Sequence, residues 1–117
     1  MAGCLIILNG PPYGNEYSYN GLRLAGSLVR QPGNNVKVFL LGDAAACARA
    51  GQKVPQGYYN LELMLHQFHK HGGEVGVCAT CMDARALSAE ELVEGCHRSS
   101  LDELTKWTMD ADKVLVF

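Results

Sequence analysis

The sequence predicts an α/β fold, a three-layer sandwich in which a mainly parallel sheet of about four to five strands is flanked by helices. The order of the segments along the chain supports this prediction. Short apolar runs alternate with amphipathic helical segments along the chain, which is typical of parallel strands joined by crossover helices. The chain of 117 residues contains no internal repeat, linker or low-complexity segment. Residues 1–117 are therefore expected to form a single domain.

The first half of the chain opens with a continuous apolar run at residues 4–8, as expected for a strand buried on both faces. A loop rich in Gly and Pro comes next, and apolar residues at helical spacing then predict a helix. A second apolar run predicts another strand, after which Asp43 is a suitable N-cap for a short helix. The loop, helix, strand and short helix cover residues 9–14, 17–30, 36–41 and 44–50.

The second half of the chain continues the alternation. An amphipathic helix ends at a pair of glycines and leads into a third strand, which a loop follows. Two capping boxes then each predict a helix, and a last apolar run predicts a strand. The helix covers residues 60–70, the third strand 74–78 and the loop 78–87. The two capping-box segments cover 88–91 and 100–109, and the last strand covers 113–117. A short additional strand is expected near Gly95.

Three loops leave the carboxyl ends of the predicted strands, where open α/β sheets bind their ligands. We call this edge the rim and define it by residues 9–14, 42–43 and 78–85. The loop at 9–14 is either a wall of a pocket or a shaped turn, since it matches neither phosphate-binding glycine pattern. No cofactor and no metal ion is predicted. The candidate binding residues at the rim are Asn9, Gly10, Tyr13, Gly14, Asp43 and Asp83.

Cys78 and Cys81 are the candidate catalytic pair, with Arg85 as the nearby cation. The thiolate is the reactive form of cysteine, and positive charge lowers the pKa of a thiol. The spacing fits a thioredoxin-type redox pair, half of a zinc site, or one nucleophilic Cys that carries a persulfide. It also fits two packed thiols without any chemistry. Asp83 and Arg85 either serve this site or form a surface ion pair with each other.

A zinc site at Cys78 and Cys81 would need further ligands, because structural zinc takes four. The histidines and the remaining candidate thiol do not repeat the Cys-x-x-Cys spacing. For His66 and His69, a solvated helix face is the alternative interpretation. The candidates are His66, His69, His71, Cys96 and His97.

The composition narrows the classes of function. The formal net charge is −2 and no basic stripe is present, so no nucleic-acid partner is expected. No apolar run is long enough to cross a bilayer, and the N-terminal stretch lacks the basic region of a signal peptide. We therefore expect a cytoplasmic protein that does not interact with membranes.

The remaining cysteines and the tyrosines add two expectations. The five cysteines are an odd number, which does not favour a disulfide framework. Cys4 and Cys47 are expected to be small buried hydrophobes, and Cys96 is expected to be exposed in a loop-like stretch. Tyr58 and Tyr59 are hard to bury in a small protomer and favour an oligomer.

The block Cys78-Ala79-Thr80-Cys81-Met82-Asp83-Ala84-Arg85, combined with the ending Ala111-Asp112-Lys113-Val114-Leu115, resembles the DsrE/DsrF-like sulfur-relay family. The similarity extends end to end and is greatest with the YchN-like branch. It implies a homohexamer or homotrimer of compact α/β protomers, with an active-site Cys78 near a subunit interface. It also implies that Cys78 accepts sulfane sulfur from a donor protein and passes it to an acceptor protein. Residues 86–88 depart from the branch, which is expected to have a Gly there.

The sequence therefore predicts a sulfur carrier in which Arg85 and backbone N–H groups stabilise the Cys78 anion. Cys81 either resolves the persulfide by forming a disulfide or supports the loop. Two other functions stay open: a non-catalytic oligomeric module that binds a small ligand or partner, and a redox-sensing Cys78/Cys81 dithiol.

Overall fold

The computed structural model describes residues 2–117 and contains one sheet of five parallel strands. The sheet order is β4-β3-β2-β1-β5. The strands are β1 (Ala2–Leu8), β2 (Asn34–Leu40), β3 (Glu74–Cys78), β4 (Cys96–Ser99) and β5 (Lys113–Val116). The predicted α/β fold is confirmed, and the expected additional strand near Gly95 is the edge strand β4.

Helices cover both faces of the sheet. The helices are α1 (Tyr17–Val29), α2 (Leu61–Lys70), α3 (Ala79–Ala84) and α4 (Leu101–Asp110). On one face α1, α2 and a 3₁₀ segment pack over the larger core cluster, which includes Ile6, Val38 and Val77. On the other face α4 packs Leu104 and Trp107 over the smaller cluster. No helix within residues 2–117 is both long and apolar enough to span a bilayer.

Three predictions of helical structure need correction. The segment after β2 is a 3₁₀ helix, Gly42–Ala48, and its N-cap is Leu41. It begins directly at the strand end, with Gly42 at φ +57°, so Asp43 lies inside its first turn instead of capping it. The capping box at residues 88–91 does form, but it opens only a 3₁₀ turn. The predicted capping box at the start of α4 is only half formed. The Ser100 hydroxyl accepts a hydrogen bond from the Glu103 N–H, but the Glu103 carboxylate binds Ser99 and His97.

The predicted loop at residues 78–87 is also wrong, since it contains α3. This helix has only six residues, so its capping interactions supply much of its stability. Its C-terminus is a Schellman motif: the Ala86 N–H donates to the Asp83 carbonyl, and the Leu87 N–H donates to the Met82 carbonyl. The residues at the two positions that usually make an apolar contact in this motif, Met82 and Leu87, are both buried in the larger core cluster.

Ala86 has φ +52° and is the only residue other than Gly with positive φ in the described part of the chain. The left-handed conformation is unfavourable for any residue with a Cβ atom. Ala86 lies in the segment, residues 86–88, in which the related branch is expected to carry a Gly. The C-terminus of α2 forms the same Schellman pair of hydrogen bonds. There the position that corresponds to Ala86 is Gly72, with φ +97°.

Exchanging the residues at these two matched turns should change stability in opposite directions. Ala86→Gly is expected to raise the free energy of unfolding by up to about 1 kcal/mol, because it relieves the left-handed strain. Gly72→Ala, where an added Cβ meets no atom within 4 Å, is expected to lower it by about 1 kcal/mol. Urea unfolding monitored by circular dichroism measures both. A loss of stability in Ala86→Gly would contradict this account.

Candidate functional site

The parallel sheet brings the loops after β2 and β3 together at the rim. The Gly42 N–H donates to Cys81 Sγ at 3.1 Å. The Arg85 guanidinium donates to the Asp43 carboxylate at 2.7 Å and to the Cys81 carbonyl at 3.0 Å. The predicted candidates Asp43, Cys81 and Arg85 therefore form one connected group.

Cys78 is the last residue of β3 and the N-cap of α3. Its half-buried Sγ accepts a hydrogen bond from the Cys81 N–H at 3.4 Å. The Thr80 hydroxyl lies 3.4 Å from the same sulfur atom. A thiol in the N-cap position thus replaces the oxygen that usually caps a helix.

The two cysteines have opposite pKa shifts. For Cys78, burial raises the pKa, but hydrogen bonds from Cys81 and from the Thr80 hydroxyl outweigh it, and the pKa is lowered. For Cys81, burial and the hydrogen bond with Cys78 raise the pKa more than the Gly42 N–H and the Arg85 charge lower it. These opposite shifts favour a thiolate at Cys78 over a thiolate at Cys81.

Arg85 and Asp83 do not form the ion pair with each other that the sequence left open. Arg85 binds Asp43, and Asp83 receives a two-pronged contact from Arg98 on β4, at 2.8 and 3.0 Å. The Arg98 guanidinium holds the Asp83 pKa below its usual value. The positive charge of Arg85 acts on Cys81. Two ion pairs therefore fasten α3 to the loop after β2 and to the edge strand.

The loop at residues 9–14 makes its hydrogen bonds away from the two thiols. The Asn9 amide donates to the Phe117 carbonyl at 3.4 Å, and the Gly10 carbonyl accepts from the buried Ser18 hydroxyl at 2.7 Å. The Tyr13 hydroxyl accepts from the Leu61 N–H at 3.3 Å. These contacts fit the shaped-turn interpretation of the loop.

A cavity of about 420 Å³ lies beside this loop and is lined by Gly14, Glu16, Tyr58 and Tyr59. Tyr58 is exposed, whereas Tyr59 stacks on Tyr19 with ring centroids 4.0 Å apart. Tyr58 is therefore exposed, as expected, whereas Tyr59 is not. Packing within the protomer accounts for Tyr59.

The remaining cysteines and histidines are placed elsewhere. Cys47 is buried as expected, and burial raises its pKa to about 12. Cys4 is half-buried. Cys96 lies in β4 and not in a loop, and burial raises its pKa to about 12, so its expected exposure is wrong. Within residues 2–117, no group of three or more His, Cys, Asp or Glu side chains is arranged to hold a metal ion.

Three groups at the site were missed by the sequence analysis. Thr80 lies between the two cysteines, and its place in the motif could have identified it. The Gly42 N–H is a backbone donor that leaves no side-chain signal. Arg98 is distant in sequence from Asp83, and only the pairing of β4 with β3 brings it close.

Removing the hydrogen-bond donors should raise the pKa of Cys78. In Cys81→Ala and in Thr80→Val, the pH midpoint of Cys78 alkylation is expected to move upward. Thr80→Val loses the hydroxyl, and Cys81→Ala keeps the N–H but loses the side-chain contribution of Cys81 that lowers the pKa of Cys78. Thr80→Ser keeps the hydroxyl and should leave the midpoint close to that of the wild type. The rate of iodoacetamide modification against pH, followed on the peptide that contains Cys78, is the measurement. An unchanged midpoint in both donor variants would show that these contacts do not control the thiolate.

Comparison with known proteins agrees with this architecture. The sequence model of the DsrE/DsrF-like family matches residues 3–117. The chain is 41% identical to protein YchN of Escherichia coli K12 over 118 residues, with both chains covered completely. It is 34% identical to the uncharacterized protein MK0008 of Methanopyrus kandleri, covering 96% of this chain and 91% of that protein. The crystal structure of the ychN protein from E. coli superposes with a TM-score of 0.94 at 40% identity, with both chains covered completely. The chain therefore belongs to the DsrE/DsrF-like family.

Proposed function

We propose that this protein is a sulfur carrier in which Cys78 accepts a sulfane sulfur atom as a persulfide and passes it to an acceptor thiol. The observation that carries the proposal is the Cys78 thiol itself. It is half-buried at the rim, its pKa is lowered, and a second thiol with a raised pKa lies close to it. Membership of a family associated with sulfur relay supports the same chemistry.

The transfer follows from the thiolate character of Cys78. The Cys78 thiolate attacks the outer sulfur of a donor persulfide, R–S–SH. A new S–S bond forms on Cys78, the donor S–S bond breaks, and its electron pair leaves with the donor as R–S⁻. In the second half, an acceptor thiolate attacks the outer sulfur of Cys78–S–SH and regenerates the Cys78 thiolate. No net oxidant or reductant is consumed.

The surrounding groups have different proposed roles. Thr80 and the Cys81 N–H stabilise the negative charge on the Cys78 sulfur in both half-reactions. Arg85 is a positioning residue, because its contacts go to Asp43 and to the Cys81 carbonyl. We place this chemistry in the cytoplasm, where thiols are kept reduced.

A redox-sensing dithiol is the second candidate function, and the closeness of the two cysteines, with the Cys81 N–H 3.4 Å from Cys78 Sγ, favours it. In that case the Cys81 thiolate attacks the inner sulfur of Cys78–S–SH, the Cys78–Cys81 disulfide forms, and HS⁻ leaves. A dithiol reductant would then be needed to restore the site. The carrier function needs no such step.

We also propose that the protein is a homo-oligomer assembled through the α4 face of the sheet. Leu101 and Met109 on α4 are 74% and 80% exposed, and Val116 on β5 is 64% exposed. Val116 pairs with Ile7, whose side chain belongs to the smaller core cluster, so Val116 lies on the same face of the sheet as α4. A patch of this kind is typical of an interface. Cys78 packs against the same cluster, so a second subunit there would border the thiol.

The sulfur-carrier proposal is tested by intact-protein mass spectrometry after incubation with inorganic polysulfide. We expect wild type and Cys81→Ser to gain the mass of sulfur, reversibly with dithiothreitol, and Cys78→Ser to gain none. A variant with Cys4, Cys47 and Cys96 changed to Ala should behave as wild type, since these thiols lie outside the site. Sulfur on no cysteine of a folded protein would instead favour a non-catalytic binding module. A disulfide with loss of sulfide would favour the dithiol.

The oligomer proposal is tested by charge placed on the apolar face. Val116→Lys is expected to lower the subunit number in sedimentation velocity, because a lysine at the centre of an apolar interface must be desolvated. Leu63→Lys on α2, at a comparably exposed apolar position on the opposite face, should leave the subunit number unchanged. A Val116→Lys protein that sediments as wild type would contradict the proposed interface.

A further inference from the structure

A groove lined mainly by apolar side chains lies between α1 and α2 on the opposite face of the sheet. It has a volume of about 370 Å³. Leu22 and Val29 of α1 and Met64 and Phe68 of α2 line it, and Leu63 on its edge is 56% exposed. This groove is distinct from the rim, because none of its lining residues belongs to the rim loops.

The groove carries positive charge that no carboxylate in the described chain neutralises, although the Arg23 guanidinium also lies over the Tyr19 ring, 5.6 Å from its centroid. Arg49, Arg85 and Arg98 each form an ion pair with a carboxylate. Arg23 and Arg30, the other two arginines, line the groove and have no carboxylate partner among residues 2–117. Their guanidinium groups donate only to the Asn20 side chain and to the Gly26 carbonyl. No Asp or Glu in the described chain lines the groove.

Gly26 gives the groove its depth. It lies inside α1, where glycine is unfavourable by roughly 1 kcal/mol relative to alanine. A Cβ added there would meet only the Arg30 guanidinium, at 4.0 Å, so packing within the protomer does not demand a glycine. The missing side chain leaves room for an apolar side chain from another molecule between the two arginines.

The spacing of the charges indicates what kind of molecule fits. Arg23 and Arg30 are seven residues apart on one helix, a rise of about 10 Å along its axis. A ligand with a single anionic head would need the cations clustered at one end of the groove. Two cations separated by two helical turns match carboxylates at positions i and i+7 of a second helix, with apolar side chains at i+3 and i+4 between them.

We propose that the groove between α1 and α2 binds an acidic amphipathic helix of a partner protein, which sets an apolar side chain over Gly26 and carboxylates against Arg23 and Arg30. Helix-in-groove recognition is a common mode of peptide binding. The inference goes beyond the sulfur-carrier proposal and does not depend on the chemistry of Cys78.

The test uses fluorescence anisotropy of the full chain with a labelled alanine-based helical peptide that carries Glu at i and i+7 and Leu at i+3 and i+4. We expect saturable binding that weakens with added salt. The double variant Arg23→Glu/Arg30→Glu should weaken binding by at least about tenfold through charge repulsion. Gly26→Leu should abolish binding because it fills the groove. Since leucine is a better helix former than glycine, α1 should still form in this variant. Cys78→Ser should bind as wild type, which separates this test from that of the sulfur carrier.

Several outcomes would overturn the proposal. One is equal binding of a peptide with Lys in place of both Glu residues, and another is binding that Gly26→Leu leaves intact. Binding of decanoate but not of the acidic peptide would assign the groove to a small amphiphile. A changed subunit number in Arg23→Glu/Arg30→Glu would assign it to a second copy of the chain. Absence of peptide binding to the folded wild type would reject the site.

Discussion

The parallel pairing of β2 with β3 is the constraint on which the candidate site depends. In this register Leu40 is paired with Val77, so both strands end at the same level of the sheet. Cys78 follows Val77, Gly42 lies two residues after Leu40, and the Gly42 N–H reaches Cys81 Sγ. A slip of one residue would turn the side chains of β3 to opposite faces and separate these groups. The geometry of the thiols is therefore a consequence of strand register and not of the local loop sequence alone.

Cys78 and Cys81 are not equivalent, because they pack against the core clusters on opposite faces of the sheet. Cys78 packs against the smaller cluster under α4, whereas Cys81 packs against the larger core. Cys78 receives several donors, and Cys81 has the Gly42 N–H and a distant contribution from Arg85. This difference lowers the pKa of Cys78 and raises that of Cys81, which supports Cys78 as the nucleophile of the proposed function. Two similar thiols in one environment would share the titration and suit a dithiol switch better than a carrier.

The sequence was sufficient for those parts of the fold that rest on burial. Apolar runs such as residues 4–8 predict strands because strands covered on both faces need no polar side, and the shared rim follows from their parallel arrangement. The sequence did not predict α3, because the six residues of this helix depend on a thiol cap and a Schellman motif more than on an apolar stripe. It also failed for the partners of Asp83 and Arg85, because those contacts join residues that only the strand order brings together.

The two ion pairs at α3 are best understood as restraints on position. Both are solvent-exposed, so each adds little to the free energy of unfolding. Their geometry nevertheless joins α3 to Asp43 on one side and to Arg98 on the other, while Ala86 holds a strained turn at its end. In the proposed carrier, a persulfide would add one sulfur atom to Cys78, and the donors around the sulfur would have to stay aligned as the charge moved outward. A short helix fastened on two sides meets that need, because the bound sulfur can change while the backbone around it stays in place.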